Sequence, residues 1–373
     1  VYAALGNRGG LAAVENDLGL LAEERGNFPQ ALASFKRALV AWQQIDDPLR
    51  IAQAQNDIGF AQFQLGAYND ADVYLRQSAD GYAKLGDQTG SIRALQALGL
   101  LAIARGQWAD ARLQLQRTLG EAQTAQMHEE AAVSQRHLAE LDLWQGYFEA
   151  AKTESSRAQA SFQSRGDARG TADAALLHAE AQLLSGDIAA AQQALDSMQV
   201  SLKQAGAEQR ATLQSLRGAV AFAQGRNADA AKILQQARRL ADASGVRQLQ
   251  LRIELQATRA AADQDGALHA LEVPIAALGH VGLRLAWLQR RMQQSLSMRD
   301  APAAILAYQE ATSLLRAGDF RDAAALHSLG AQARSLMGDE AGARAARARM
   351  KDADAAFHAG TPEVAPAGAN ETP

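Results

Sequence analysis

The sequence predicts an all-α protein, a right-handed solenoid of about nine stacked helix–turn–helix units. Three observations carry that prediction. The segment LGLLAEERGNFPQA at 18–31 returns as IGFAQFQLGAYNDA (58–71), LGLLAIARGQWADA (98–111) and LAELDLWQGYFEAA (138–151), each copy 40 residues after the last. Ala, Gln, Leu and Arg, all good helix formers, dominate the chain. Only 7 prolines occur among 373 residues, four of them at or after Pro302, so most of the chain lacks the residue that breaks helices. A unit repeated at a fixed interval buries its apolar face only against its neighbours, which makes one continuous body rather than several domains.

Each repeated position has a physical reason. Gly26, Gly66, Gly106, Gly146, Gly186 and Gly225 mark turns where one helix must end. Ala31, Ala71, Ala111, Ala151, Ala191 and Ala230 follow five residues later. Two residues after the turn stand Phe28, Tyr68, Trp108, Phe148 and Ile188, expected to fill the wedge between helices. Gly19, Gly59 and Gly99 lie inside helices, where glycine costs about 1 kcal/mol relative to alanine. A closely crossing helix explains that cost, with the small alanine expected as its contact. A second set of turns lies half a period away, at Leu5-Gly6-Asn7, Ile45-Asp46-Asp47, Leu85-Gly86-Asp87, Arg165-Gly166-Asp167 and Ala205-Gly206-Ala207. Its Asp or Asn residues cap the next helix. The Arg165-Gly166-Asp167 triplet matches an adhesion motif, but the repeat already requires a turn there. The two sets of turns divide each unit into two helices of about 17–19 residues.

Leu18, Gly19, Gly26, Phe28, Ala31, Phe35 and Ala38 fall on the signature positions of the tetratricopeptide repeat, and the later copies repeat them. The chain resembles that family in a longer form: the family unit is 34 residues, and a 40-residue unit is similar to those of Leu-Gly-Asn-repeat proteins and MalT-type regulators. The resemblance implies a superhelix over 1–357. Residues 1–6 read as the tail of a preceding helix, 7–245 as regular repeats, 246–317 as degenerate repeats and 318–357 as a C-terminal helix pair. His178 and Arg217 stand where the leucine of the motif belongs, and Asn227 replaces the aromatic residue. Helices are expected near 281–298 and 302–317, with Gly318-Asp319 and Gly338 opening the last pair. The Pro/Gly/Ala-rich stretch 358–373 reads as a flexible tail.

Composition limits the chemistry. Net charge is −4 and the basic residues form no long run, which argues against direct nucleic-acid binding. With no cysteine, disulfides, thiol catalysis and Cys-ligated zinc are excluded, and cytoplasm and periplasm both remain open. No apolar run is long enough to span a membrane. No phosphate-cradling loop or nucleophile elbow occurs. The seven histidines are scattered, so no catalytic residue, metal or cofactor is expected. Arg344, Arg347, Arg349 and Lys351 read as the solvated face of a terminal helix.

In the resembling family the first helix of each pair lines a concave groove. Carried onto this chain, the groove slots hold Asn16, Asn56, Phe60, Phe63, Arg93, Gln96, Leu100, Arg136, Glu140, Trp144 and Glu180. Asn16, Asn56, Gln96 and Arg136 share one slot, and an amide row suits the backbone of an extended peptide. An apolar band including Phe60, Phe63, Leu100, Ile103, Leu143 and Trp144 runs beside it. Glu23, Glu24, Glu140, Asp173 and Glu180 suit a guest with positive charge. The slots that chaperone-tail arrays use to clamp a terminal carboxylate are not filled here; Leu20, Asp57 and Ala97 stand there. The expectation is a non-enzymatic module binding a protein or peptide segment, as the sensory or regulatory part of a larger bacterial signalling protein. Two alternatives stay open: a small-molecule sensor using the irregular 246–317 region, and a scaffold that assembles into homo-oligomers.

Overall fold

A computed structural model describes residues 7–201, 205–315 and 322–359, with side chains described except at 199–201. The expectations for residues 1–6, Gly318-Asp319 and 360–373 lie outside the described residues. All regular structure among the described residues is helical. The pairs are α1 (Arg8–Glu24) with α2 (Phe28–Gln44), α3 (Pro48–Gln64) with α4 (Tyr68–Leu85), and α5 (Gln88–Ala104) with α6 (Trp108–Thr124). Then come α7 (His128–Gln145) with α8 (Phe148–Ser164), α9 (Ala168–Leu184) with α10 (Ile188–Ser201), and α11 (Ala207–Ala223) with α12 (Asn227–Ser244). The seventh unit is broken: α13 (Arg247–Ala257), a 3-10 turn, and the short α14 (Gln264–Ala270) and α15 (Glu272–Leu278). Two regular pairs follow, α16 (Val281–Ser297) with α17 (Ala301–Leu314) and α18 (Ala323–Leu336) with α19 (Glu340–Ala359).

Capping chemistry starts the helices where the sequence places it. The side chains of Asn7, Asp47, Asp87 and Asp167 accept hydrogen bonds from the backbone N–H of Gly10, Arg50, Gly90 and Gly170. Asp167 therefore serves the turn, and the triplet before it needs no other role. The turn between α6 and α7 has no glycine; Gln126 takes the left-handed conformation there at φ 57°, which is why that copy is missing from the sequence pattern.

The helix-interior glycines are pressed as expected, but by a different residue. A Cβ at Gly59 would lie 2.6 Å from Leu75 Cγ, and at Gly99 2.7 Å from Leu115 Cδ2. Gly19 faces the Phe35 ring, and Gly218 faces Leu234. Each partner stands nine residues after the turn glycine, not five. The glycine makes room for a large side chain, whereas the alanines at plus five (0–1 % exposed) sit buried in the core. The two devices are complementary: large side chains fill the hollows above the glycines, and small ones permit close helix approach. Ala111→Trp is expected to destabilise the protein by about 1–3 kcal/mol through overpacking, read as a lower urea midpoint. An unchanged midpoint would contradict this packing.

The array curls far enough to touch itself. The turns of the first four pairs rest on the chain between Ala243 and Gly282: Gly26 on the carbonyls of Ala243 and Ser244, Gly66 on Leu278, Gly106 on Val281, and Trp144 on Gly282. One apolar cluster joins Phe28, Phe35 and Ile58 to Leu234, Val246, Leu249 and Ile253. Another joins Tyr68, Leu101 and Leu141 to Leu251, Leu271, Leu283 and Leu288. Contacts between residues about 140 to 220 positions apart thus close the coil across its own interior.

Candidate functional site

Closure decides which groove positions remain open. Much of the apolar band is covered by the protein itself. Phe60 packs on the cluster containing Val246, Leu249 and Ile253, while Phe63, Leu100 and Trp144 pack on the one containing Leu251 and Leu283. Ile103 and Leu143 are buried, Phe63 stacks on Tyr68, and Trp144 lies 4.6 Å from the His280 ring. Much of the band thus packs as core, because apolar surface inside so tight a coil is buried first by the nearest apolar surface, here the chain's own later helices.

The amide row is also broken up. Gln96 is buried and donates to the Glu130 carbonyl and to Ser134 Oγ, tying α5 to α7. Arg93 bonds the Glu130 carboxylate at 2.8 Å, an exposed strut between the same helices. Asn16 is half-buried. Asn56 is half-buried too, and its Oδ1 finds no partner among the described residues. Arg136 Nη2 meets His137 Nε2 at 2.8 Å. His178 is half-buried, its Nδ1 within reach of Ser155, Ser156 and the Lys152 carbonyl. The terminal basic residues Arg344, Arg347, Arg349 and Lys351 are exposed on α19.

What stays open is an interior lined by charged and apolar side chains together. Three cavities lie end to end, of about 760, 150 and 390 Å³. The first and second share Glu208 and Gln209; the second and third share Glu180 and Arg252. Glu23 and Glu24 line the first, and Arg136, Glu140, Asp173 and Glu180 line the second. Most of the charged slots read from the sequence thus converge on the interior, and of the apolar band Phe60 lines the first cavity and Leu143 and Trp144 the third. Arg252, Glu208, Gln209 and Gln248 complete the middle cavity. They come from α11 and α13, and no repeat register projects the inner face of a broken unit.

The electrostatics are those of confined charge. Glu180 Oε2 accepts from Arg252 Nη2 at 2.9 Å, an ion pair bridging α9 and α13. Asp173 accepts from Gln209 Nε2 at 2.8 Å. Burial raises the Glu140 carboxyl above its ordinary value, against the pull of Arg136 and Arg252. Glu208 keeps 42 % of its side-chain surface open, but that surface faces the cavities. The surrounding protein pushes its carboxyl up to about 7, with Asp173 adding to the effect and Arg169, 3.9 Å away, opposing it. Around the middle cavity four carboxylates (Glu140, Asp173, Glu180, Glu208) face two guanidiniums (Arg136, Arg252). Asp57 is also pushed up to about 7, by burial and then by Glu23. His280, buried against Trp144, is pushed down to about 3 and is neutral; its Nδ1 caps α16 by accepting from Leu283 N–H.

Among the described residues no group of three or more His, Asp or Glu side chains could hold a metal, and no helix is long and apolar enough to cross a membrane. A family model described as tetratricopeptide repeat matches residues 10–84. No curated protein matches the chain. Among solved structures, a Rap protein complexed with Competence and Sporulation Factor is similar, with TM-score 0.67 and 12 % identity, covering 93 % of this chain and 99 % of that one. The apo form of RapI has TM-score 0.49 at 11 % identity, covering 94 % and 99 %. The apo form of the quorum sensor NprR from B. thuringiensis has TM-score 0.45 at 15 % identity, covering 91 % and 98 %. At such identities the likeness to Rap is one of fold. Residues 10–84 thus carry tetratricopeptide repeats, and the tandem helix pairs of the described residues have the fold of a tetratricopeptide-repeat array.

Proposed function

We propose that this protein is a regulatory binding module whose interior takes an extended segment of a protein or peptide partner carrying a lysine or arginine. The carrying observation is the middle cavity, where four half-buried carboxylates face two guanidiniums. A carboxylate in such a place holds a proton or recruits a cation, and an incoming ammonium or guanidinium replaces the proton. The adjoining 760 Å³ cavity gives the rest of the segment room, with Glu23, Glu24 and Gln64 along its wall. The Rap protein of similar fold is complexed with Competence and Sporulation Factor, which supports a coil of this kind receiving a regulatory factor. A sensory or regulatory part within a larger bacterial signalling protein is the setting this reading favours.

Selection from a library of short random peptides tests it. The wild-type protein is expected to enrich peptides containing Lys or Arg. Glu140→Gln with Glu208→Gln is expected to weaken the selected peptides at least tenfold, while far-UV circular dichroism stays unchanged. Enrichment of uncharged or acidic peptides, or equal affinity in the double variant, would overturn the reading.

A further inference from the structure

We infer that the 390 Å³ cavity beside the broken seventh unit is a separate binding site for an organic carboxylate with an apolar body. Its position goes beyond the partner-binding reading and does not depend on it. The cavity exists because α13 stops after 11 residues and the chain continues as a 3-10 turn and two short helices. A regular second helix does not cover that side. The space lies between α7, α9, α13 and α16.

The lining has two halves. Leu143, Trp144, Leu255 and Leu283 form an apolar side. The rest of the lining includes Arg259, which is exposed, and Arg290, which is half-buried. Arg290 Nη2 donates to Gln264 Oε1 at 2.7 Å, yet its buried Nε has no partner. Burial and the neighbouring charge of Arg259 pull the Arg290 guanidinium below its ordinary range. Arg252 also lines the cavity; its Nη2 engages Glu180, but its Nε is buried without a partner. The carboxylates of the lining are that engaged Glu180 and Asp322, so positive charge is in excess.

Three guanidiniums (Arg252, Arg259, Arg290) against two carboxylates leave the cavity net positive, and buried donors left unpaired, here the Nε of Arg252 and Arg290, are costly. A carboxylate relieves both, because guanidinium binds it through two parallel hydrogen bonds. The volume falls in the range of small-ligand pockets, and one polar anchor against an apolar wall is their usual chemistry. The same ligand chemistry comes from two sources: a small organic acid, or a chain terminus ending in an apolar residue.

Calorimetry and thermal shift on the whole chain distinguish these outcomes. The probes are octanoate, its neutral counterpart octanamide, and a leucine-terminated tripeptide in free-acid and amidated forms. Octanoate or the free-acid tripeptide is expected to bind and raise the melting temperature, with the neutral counterpart at least tenfold weaker. Whichever acid binds more tightly names the source. Arg259→Gln, at an exposed position, and Arg290→Gln are each expected to weaken that acid about tenfold or more, with helicity preserved. Equal binding of acid and amide, no binding by either acid, or unaltered affinity in both folded variants would overturn the inference. Failure of the interior carboxylate variants to affect peptides would leave this result untouched.

Discussion

Gly26→Ala is expected to lower stability by about 2–5 kcal/mol, while Gly225→Ala, at the equivalent turn of the sixth unit, loses only about 1–2 kcal/mol. Both glycines are left-handed, at φ 71° and 74°, so the conformational part of the penalty is shared. They differ in surroundings. A Cβ at Gly26 would lie 2.6 Å from the carbonyl oxygens of Ala243 and Ser244, whereas nothing lies within 4 Å at Gly225. Backbone carbonyls cannot turn aside as a flexible side chain can. The excess loss at Gly26 therefore measures closure of the coil separately from turn strain. Urea denaturation of both variants gives the difference, and small-angle scattering should show Gly26→Ala more extended. Equal losses in the two variants would mean that the contact between the first and sixth units contributes nothing.

A second large effect is expected with pH: Asp57 and Glu208 favour the folded state more at pH 5.5 than at pH 8, while the buried His280, held neutral, acts in the opposite sense below about pH 6.5. Asp57, ordinarily near 3.8, titrates at about 7 in the fold, and Glu208 at about 7. Between roughly pH 4 and 7 these two carboxyls hold protons in the folded state that the unfolded chain has released, so their contribution to stability falls as pH rises through that window. Above it the carboxylates are charged inside the protein, and Asp57 lies near Glu23 with its Oδ2 unpaired among the described residues. Asp57→Asn keeps the size and removes the charge. It is expected to raise stability at pH 8 by a few kcal/mol and to flatten the pH dependence, with little change at pH 5. An identical pH profile in the variant would show that Asp57 is already ionised at low pH. Partner binding through the interior should run the other way, strengthening as the carboxylates of the middle cavity ionise.

Much of this protein was legible along the chain because its information is local and repeated. The caps at Asn7, Asp47, Asp87 and Asp167 depend on atoms three residues away, and hence on sequence alone. The alanines at plus five are buried wherever the period places them. Glu140, Asp173 and Glu180 reached the interior because the first helix of each pair turns one constant face inward. The exchange of roles between the plus-five alanine and the plus-nine Phe35, Leu75 or Leu115 was less legible. Both recur at the same interval, and periodicity cannot tell which of two recurring residues fills a hollow.

By itself, then, the sequence determined the helices, their pairing, the stacking of neighbours and the acidic character of the inner face, since all of these follow from contacts within about one repeat. Tertiary structure alone decided how tightly the stack curls. A small rotation per unit, summed over six units, brings Gly26 onto Ser244 and Phe60 onto the cluster around Leu249. That sum buries much of the apolar band, leaves the interior cavities open and sets Arg259 and Arg290 in one lining with Leu143 and Trp144. No single repeat records the rotation, because it is the accumulated result of many side-chain volumes, each too small in effect to be read at its own position.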